Sequence, residues 1–83
     1  MPYITQERRF ALGIDPEATT PGELNYLLTR QCMRYLHSRG SVNYATLNAI
    51  VGALECAKQE FYRRLILPYE NAKLAEHGDV YSE

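Results

Sequence analysis

A long run of regularly spaced apolar residues between Tyr44 and Ile66 most constrains what this chain can fold into. Their spacing is that of one face of an α-helix, and they are Tyr44, Leu47, Ile50, Val51, Leu54, Ala57, Phe61 and Leu65. Asn43 suits the cap position, and at about 1.5 Å per residue the helix would be about 35 Å long. Another face carries small residues that would admit a close neighbour: Ala45, Ala49, Gly52, Ala53 and Cys56. The sequence therefore predicts a long helix covered on two sides.

The stretch TTPGELNYLL marks the start of an earlier helix. Thr20 suits its cap, the proline that follows suits the first helical position, and Glu23 completes a capping box. Gly40 suits the left-handed backbone conformation that ends many helices. We therefore predict a helix over residues 21–38, and the short linker after it favours an antiparallel hairpin with the helix over 44–66.

Two shorter helices should flank this hairpin. The stretch TQERRFAL predicts a helix over about residues 6–12, capped by Thr5. Pro68 lacks a backbone N–H and would clash with the preceding turn, so the chain should kink near Leu67 and continue as a helix over 68–77. We see no repeat or domain boundary, and we predict a single all-α domain.

The small size of the chain favours self-association. A domain of 83 residues buries only roughly 60% of the surface that its unfolded chain exposes. Small cores are commonly completed by oligomerisation, so we expect a dimer or a larger closed homo-oligomer. The 7 tyrosines in 83 residues, including Tyr3, are too many for so small a core, and some should face a partner.

Charge and motif content exclude several classes of protein. A net charge of -1 argues against a general nucleic-acid binder. The N-terminus lacks a signal-peptide pattern, and no stretch approaches the ~20 apolar residues that cross a bilayer, so we expect a cytoplasmic protein without membrane contact. Cys32 and Cys56 stand alone, which favours two buried reduced thiols over a disulfide or zinc site. No glycine-rich phosphate loop or dinucleotide motif occurs, and we predict no cofactor.

The stretch EFYRRLILPYE is the strongest candidate for a binding site. Glu60 stands one helical turn before Arg63 and Arg64, an arrangement that makes intrahelical ion pairs. However, arginine and tyrosine are also enriched at binding hot spots, and arginines beside aromatic rings suit a phosphate-bearing ligand or an acidic partner surface. These residues should converge near the predicted kink. We predict that ligand or partner contacts come from Arg63, Arg64, Tyr62, Tyr69 and Asn25.

A carboxylate-metal nucleotide hydrolase is the main alternative, and a purely structural assembly protein is a further one. The hydrolase would use Glu55, Glu60 and Glu23. All-helical hydrolases of this kind need paired carboxylates on one helix face, whereas Glu55 and Glu60 would lie about 140° apart around their helix. We therefore predict a protein that is not an enzyme and holds no metal.

The stretches MPYI, GELNYLLTR, EFYRR and PYENAKLAEHGDVY resemble a family of small uncharacterised bacterial and bacteriophage proteins, over nearly the whole chain. The resemblance transfers no site residue. It implies a free-standing, phage-encoded protein, and small helical phage proteins often act stoichiometrically. On this basis we expect a non-enzymatic binding protein that acts against host defence in the host cytoplasm, by sequestering a nucleotide-type ligand or by masking a host protein.

Overall fold

A computed structural model describes residues 4–82, and all regular structure in this range is helical. The helices are α1 (Gln6–Ile14), α2 (Pro21–Ser38), α3 (Tyr44–Phe61), a π-helical segment (Tyr62–Ile66), α4 (Leu67–His77) and a 3₁₀ turn (Val80–Ser82). Because residues 4–82 contain no strand, the prediction of an all-α fold is confirmed.

The chain divides between Leu47 and Asn48 into two compact units. The N-terminal unit contains α1 and α2, and the C-terminal unit contains most of α3, the π-helical segment and α4. The single domain predicted over the whole chain stays a prediction, and Tyr3 lies outside the described residues.

Side-chain caps begin the first three helices as the sequence predicts. The Thr5 hydroxyl accepts a hydrogen bond of 3.1 Å from the backbone N–H of Arg8. The Thr20 hydroxyl accepts one of 3.1 Å from the backbone N–H of Glu23. The Asn43 side-chain carbonyl accepts a bond of 2.9 Å from an N–H in the first turn of α3. Each cap satisfies a backbone donor that has no partner inside the helix.

The first helix is longer than predicted. It ends at Ile14, not near residue 12. Asp15 takes an extended conformation, with φ -129° and ψ 99°, and its N–H still donates to the Ala11 carbonyl. A residue that precedes proline is sterically disfavoured from the α-helical region, so Pro16 sets the end of α1.

Few large apolar side chains are buried. Within residues 4–82, the buried hydrophobic residues are Leu12, which is 1% exposed, and Leu36, which is 8% exposed. The stripe on α3 and beyond is open to solvent instead, at Leu47, Val51, Leu54, Phe61 and Leu65. The cover predicted for this face of the long helix is therefore not provided by the C-terminal unit, and cover by another copy of the chain stays a prediction.

Two glycines adopt positive φ angles where helices end. Gly40 has φ +88° just after α2, and Gly78 has φ +86° at the end of α4, where its N–H donates to the Leu74 carbonyl at 2.8 Å. Both agree with the ends that the sequence predicts. In the tail beyond α4, the side chains of Val80 and Tyr81 are exposed.

We expect Gly40→Ala to lower the free energy of unfolding by about 1 kcal/mol, because a Cβ is strained at positive φ. Gly52→Ala is the matched control: Gly52 lies inside α3, and a Cβ there meets no atom within 4 Å among the described residues. It should raise the free energy of unfolding by about 0.5–1 kcal/mol through helix propensity. Urea denaturation measures both, and equal effects at the two glycines would contradict the assignment.

Candidate functional site

The segment EFYRRLILPYE spans the π-helical stretch, which contains Tyr62, Arg63 and Arg64. The N–H of Leu67 donates to the Tyr62 carbonyl, the longer reach that defines a π-helix. Pro68 gives a physical cause, because its ring would clash with the carbonyl one turn earlier and it has no N–H to donate. The α-helix predicted over 44–66 ends at Phe61, and the chain stays helical through this widened turn into α4 at Leu67. The kink predicted near Leu67 stays a prediction. Such segments are frequent at functional sites.

Glu60 pairs with both arginines of this segment. Its Oε2 accepts a bond of 2.7 Å from Arg63 Nη2, and its Oε1 accepts from Arg64 Nε. The predicted intrahelical ion pairs are thus confirmed. All three side chains are largely exposed, and exposed pairs of this kind contribute only about 0.3–0.5 kcal/mol each. The carboxylate also offsets one of the two positive charges, so an incoming anion would compete with Glu60.

An open depression of about 780 Å³ lies beside the π-helical segment, within the C-terminal unit. Tyr62 and Arg63 line it, together with Glu55, Cys56, Lys58, Gln59, Glu60 and Leu67. Arg64 and Tyr69 do not line it. The Tyr69 ring instead lies 5.7 Å from the Lys73 ammonium. The structure therefore brings together only part of the predicted cluster, and the binding roles of these residues stay predictions.

Asn25 belongs to the N-terminal unit, on the exposed surface of α2. Its side-chain carbonyl accepts a hydrogen bond of 3.2 Å from the Thr29 hydroxyl, which also donates to the Asn25 backbone carbonyl at 2.9 Å. These are contacts within one helix. They leave the predicted binding role of Asn25 a prediction.

The three carboxylates of the hydrolase alternative each have protein partners. Glu55 accepts from the Gln59 amide at 3.2 Å and pairs with Lys58 at 3.3 Å, and these two contacts hold its pKa below its ordinary value. Glu60 forms salt bridges with Arg63 and Arg64, and Glu23 forms one with Arg8 in the N-terminal unit. No group of three metal-binding side chains comes together within residues 4–82. The geometry gives the hydrolase alternative no support.

Glu23 is the buried centre of a partly buried network, and its pairing with Arg8 was not predicted from the sequence. Only 8% exposed, it accepts two parallel bonds from Arg8, each 2.8 Å long. It also accepts from the backbone N–H of Thr19 at 2.9 Å and from the Thr19 hydroxyl at 3.0 Å. In a capping box the Glu23 side chain would accept from the backbone N–H of the cap, Thr20; here it accepts from the N–H of Thr19, one residue earlier. The network ties α1 and the loop after it to α2.

The charge of Glu23 is strongly stabilised. The hydrogen bonds from Arg8, followed by that from the Thr19 N–H, lower the pKa of Glu23 from about 4.5 to about 2. Bonds that donate to the ionised form of a carboxyl group favour that form. Glu23 therefore stays ionised, and both of its carboxylate oxygens accept hydrogen bonds within the N-terminal unit.

The two cysteines depart from the prediction of buried thiols. Cys32 is half-buried and Cys56 is exposed. The prediction for Cys56 is wrong because the face of α3 on which it lies is uncovered in the C-terminal unit. Neither cysteine of the described chain forms a disulfide.

A comparison with known families decides where the chain belongs. One family model, described as a domain of unknown function (DUF6899), matches residues 1–80. The chain is a member of the DUF6899 family. Membership confirms the predicted resemblance to an uncharacterised family. The bacterial or phage origin and the shared stretches expected for DUF6899 stay predictions.

No curated protein and no solved structure matches this DUF6899 chain. Within residues 4–82, its helices are all too short or too polar to cross a membrane.

Proposed function

We propose that the protein is a non-enzymatic binding protein that self-associates through the apolar stripe of α3 and the π-helical segment. The observation that carries the proposal is the exposure of this stripe in the C-terminal unit, at Val51, Leu54, Phe61 and Leu65. Contiguous exposed apolar surface marks interaction sites in soluble proteins. Because these side chains are 42–63% exposed, burying the rest of each would contribute roughly half of the about 1.5–3 kcal/mol that full burial gives.

A second copy of the chain is the occupant that this surface fits best. The charges along α3 and the π-helical segment already pair inside one helix, Glu55 with Lys58 and Glu60 with Arg63 and Arg64. Two identical surfaces of this kind do not repel each other, and they need no partner of opposite charge. We therefore propose a dimer with two-fold symmetry, in which the same patch of each copy contacts the other. The antiparallel pairing of α2 with α3 is part of the proposal.

The proposed target of the assembly follows from the resemblance to small phage proteins. We propose that it acts stoichiometrically against host defence in the host cytoplasm, by masking a host protein or by sequestering a nucleotide-type ligand. Arg63, Arg64, Tyr62, Tyr69 and Asn25 remain the proposed contacts. Their exposed positions support this role, because arginine and tyrosine are enriched at binding hot spots.

Sedimentation velocity over a concentration series tests self-association. We expect the wild-type chain to sediment as a dimer or larger closed oligomer, and Leu54→Asp to weaken association by roughly 100-fold, because it would bury an unpaired carboxylate. Gln59→Glu is the matched control: Gln59 is exposed, and the change adds the same charge to the same helix on a face about 140° from Leu54. A monomeric wild type, or equal effects of the two variants, would sink the proposal.

A further inference from the structure

The N-terminal unit contains a small cavity between α1 and α2 that shares no residue with the depression beside the π-helical segment or with the apolar stripe of α3. Its volume is about 260 Å³. Part of its wall is apolar, formed by Leu12 and Leu27 from the two helices and by Pro16 from the loop between them. Leu12 is the most deeply buried side chain of the described residues, Leu27 is half-buried and Pro16 is exposed, so this wall runs from the small core to the surface.

Two arginines of α2, Arg30 and Arg34, line the same cavity. They are one helical turn apart, so their side chains lie on the same face. Within residues 4–82, the side chain of Arg34 has no hydrogen-bond or ion-pair partner, and that of Arg30 has only a hydrogen bond of 3.4 Å to the Tyr26 hydroxyl. By contrast, Arg8 forms a salt bridge with Glu23, and Arg63 and Arg64 form salt bridges with Glu60.

Gly13 leaves room for one of these guanidinium groups. A Cβ built at Gly13 would lie 3.5 Å from Arg30 Nη1 and 3.9 Å from Arg30 Nη2. The guanidinium therefore lies directly over the bare backbone of α1. A longer side chain at this position would project into the space that Gly13 and Arg30 line.

We propose that this cavity binds a small phosphate monoester, with the phosphate between Arg30 and Arg34 and the organic part against Leu12, Leu27 and Pro16. Guanidinium groups match phosphate oxygens with paired, charge-assisted hydrogen bonds, and two of them suit a dianion. The volume is close to the lower end of ligand pockets, about 300 Å³, which suits a small ligand. This inference goes beyond the proposed function, because it adds a small-ligand site in the N-terminal unit that is separate from the proposed contacts at Arg63 and Arg64.

Chemical-shift titration of the full-length chain tests the site, with inorganic phosphate and phenyl phosphate as probes at constant ionic strength. We expect shifts centred on Leu12, Gly13 and residues 27–34, and tighter binding of phenyl phosphate because its ring covers apolar wall. Arg34→Gln should weaken both probes by about 10-fold or more, the effect of one lost charge-assisted contact. Gly13→Leu should also abolish binding while keeping both arginines.

The double variant Arg63→Gln, Arg64→Gln is the matched control, and it should bind both probes as the wild type does. Asp15→Asn should bind more tightly, because Asp15 precedes Pro16 and adds negative charge near the wall. No shifts in the wild type, binding that survives Arg34→Gln, or equal affinity for the two probes would overturn the proposal. Leu54→Asp should leave phosphate binding unchanged, so failure of self-association and failure of this site are distinguishable.

Discussion

Glu23→Gln is expected to lower the thermal unfolding midpoint by roughly 5 °C or more, the largest loss of stability for any single side chain considered. The substitution keeps the shape of the side chain but removes its charge. The Arg8 guanidinium, which donates two bonds of 2.8 Å to the carboxylate, then lacks a counter-charge in a partly buried position. Calorimetry or circular dichroism would measure the change.

Glu17→Gln is the control for this experiment. Glu17 lies in the loop after α1 and is exposed; it contributes its backbone carbonyl to Arg8, at 3.3 Å, and this atom survives the substitution. We expect a change within the scatter of ordinary surface substitutions. If Glu17→Gln and Glu23→Gln had the same midpoint, the network would not support the fold.

The same network predicts an acid-dependent stability. Folding lowers the pKa of Glu23 from about 4.5 to about 2, so the ionised group stabilises the folded chain above the higher value. This contribution should decline as the pH falls from about 4.5 towards about 2. Glu55, whose pKa is also lowered, adds a smaller dependence that Glu55→Gln removes. Parallel pH profiles for wild type and Glu23→Gln would contradict the pKa assignment.

Pro68→Ala is expected to convert the π-helical segment into an ordinary α-helix and to stabilise the helix around it by up to about 3 kcal/mol. Alanine restores an N–H that can donate to the Arg64 carbonyl, and it removes the ring that crowds this carbonyl. The extra residue in the wide turn should then disappear, which rotates α4 relative to α3 by about 100°. Amide hydrogen exchange over residues 62–68 would report the gain.

Asn71→Ala controls for helix propensity, because Asn71 is exposed in α4 and already has a backbone N–H. We expect a gain of about 0.5 kcal/mol and no change of the hydrogen-bond pattern. Backbone chemical shifts that still report the wide turn in Pro68→Ala would show that the proline is not its cause.

Helix ends were predictable from the sequence because they depend on neighbouring residues. Thr5, Thr20 and Asn43 cap helices through bonds to N–H groups in the next turn, and Gly40 and Gly78 relieve strain at single positions. The pairing of Glu60 with the two arginines is equally local. Each of these features needs only helical geometry to be foreseen.

The remaining features depend on how separate helices pack. Arg8 and Glu23 are 15 residues apart, and no periodic pattern joins them. Arg30 and Arg34 look like residues of a solvated polar face until α1 places Leu12 and Gly13 beside them. Likewise, whether the apolar stripe of α3 is exposed depends on whether another helix or another chain packs against it. Arginines that lack an acidic partner one turn away in the sequence, as Arg30 and Arg34 do, are the signal that could have pointed to the cavity.

The short span of the contacts in the N-terminal unit bears on how quickly this half of the chain folds. Its ion pair joins residues 15 positions apart, and the Thr19 bonds to Glu23 span 4 positions. Loops of about 10 residues close in about 10–100 ns, and proteins rich in local contacts fold in microseconds to milliseconds. Synthesis adds only about 5–20 residues per second. The salt bridge of Arg8 with Glu23 should therefore form during translation, before the ribosome has released the rest of the chain.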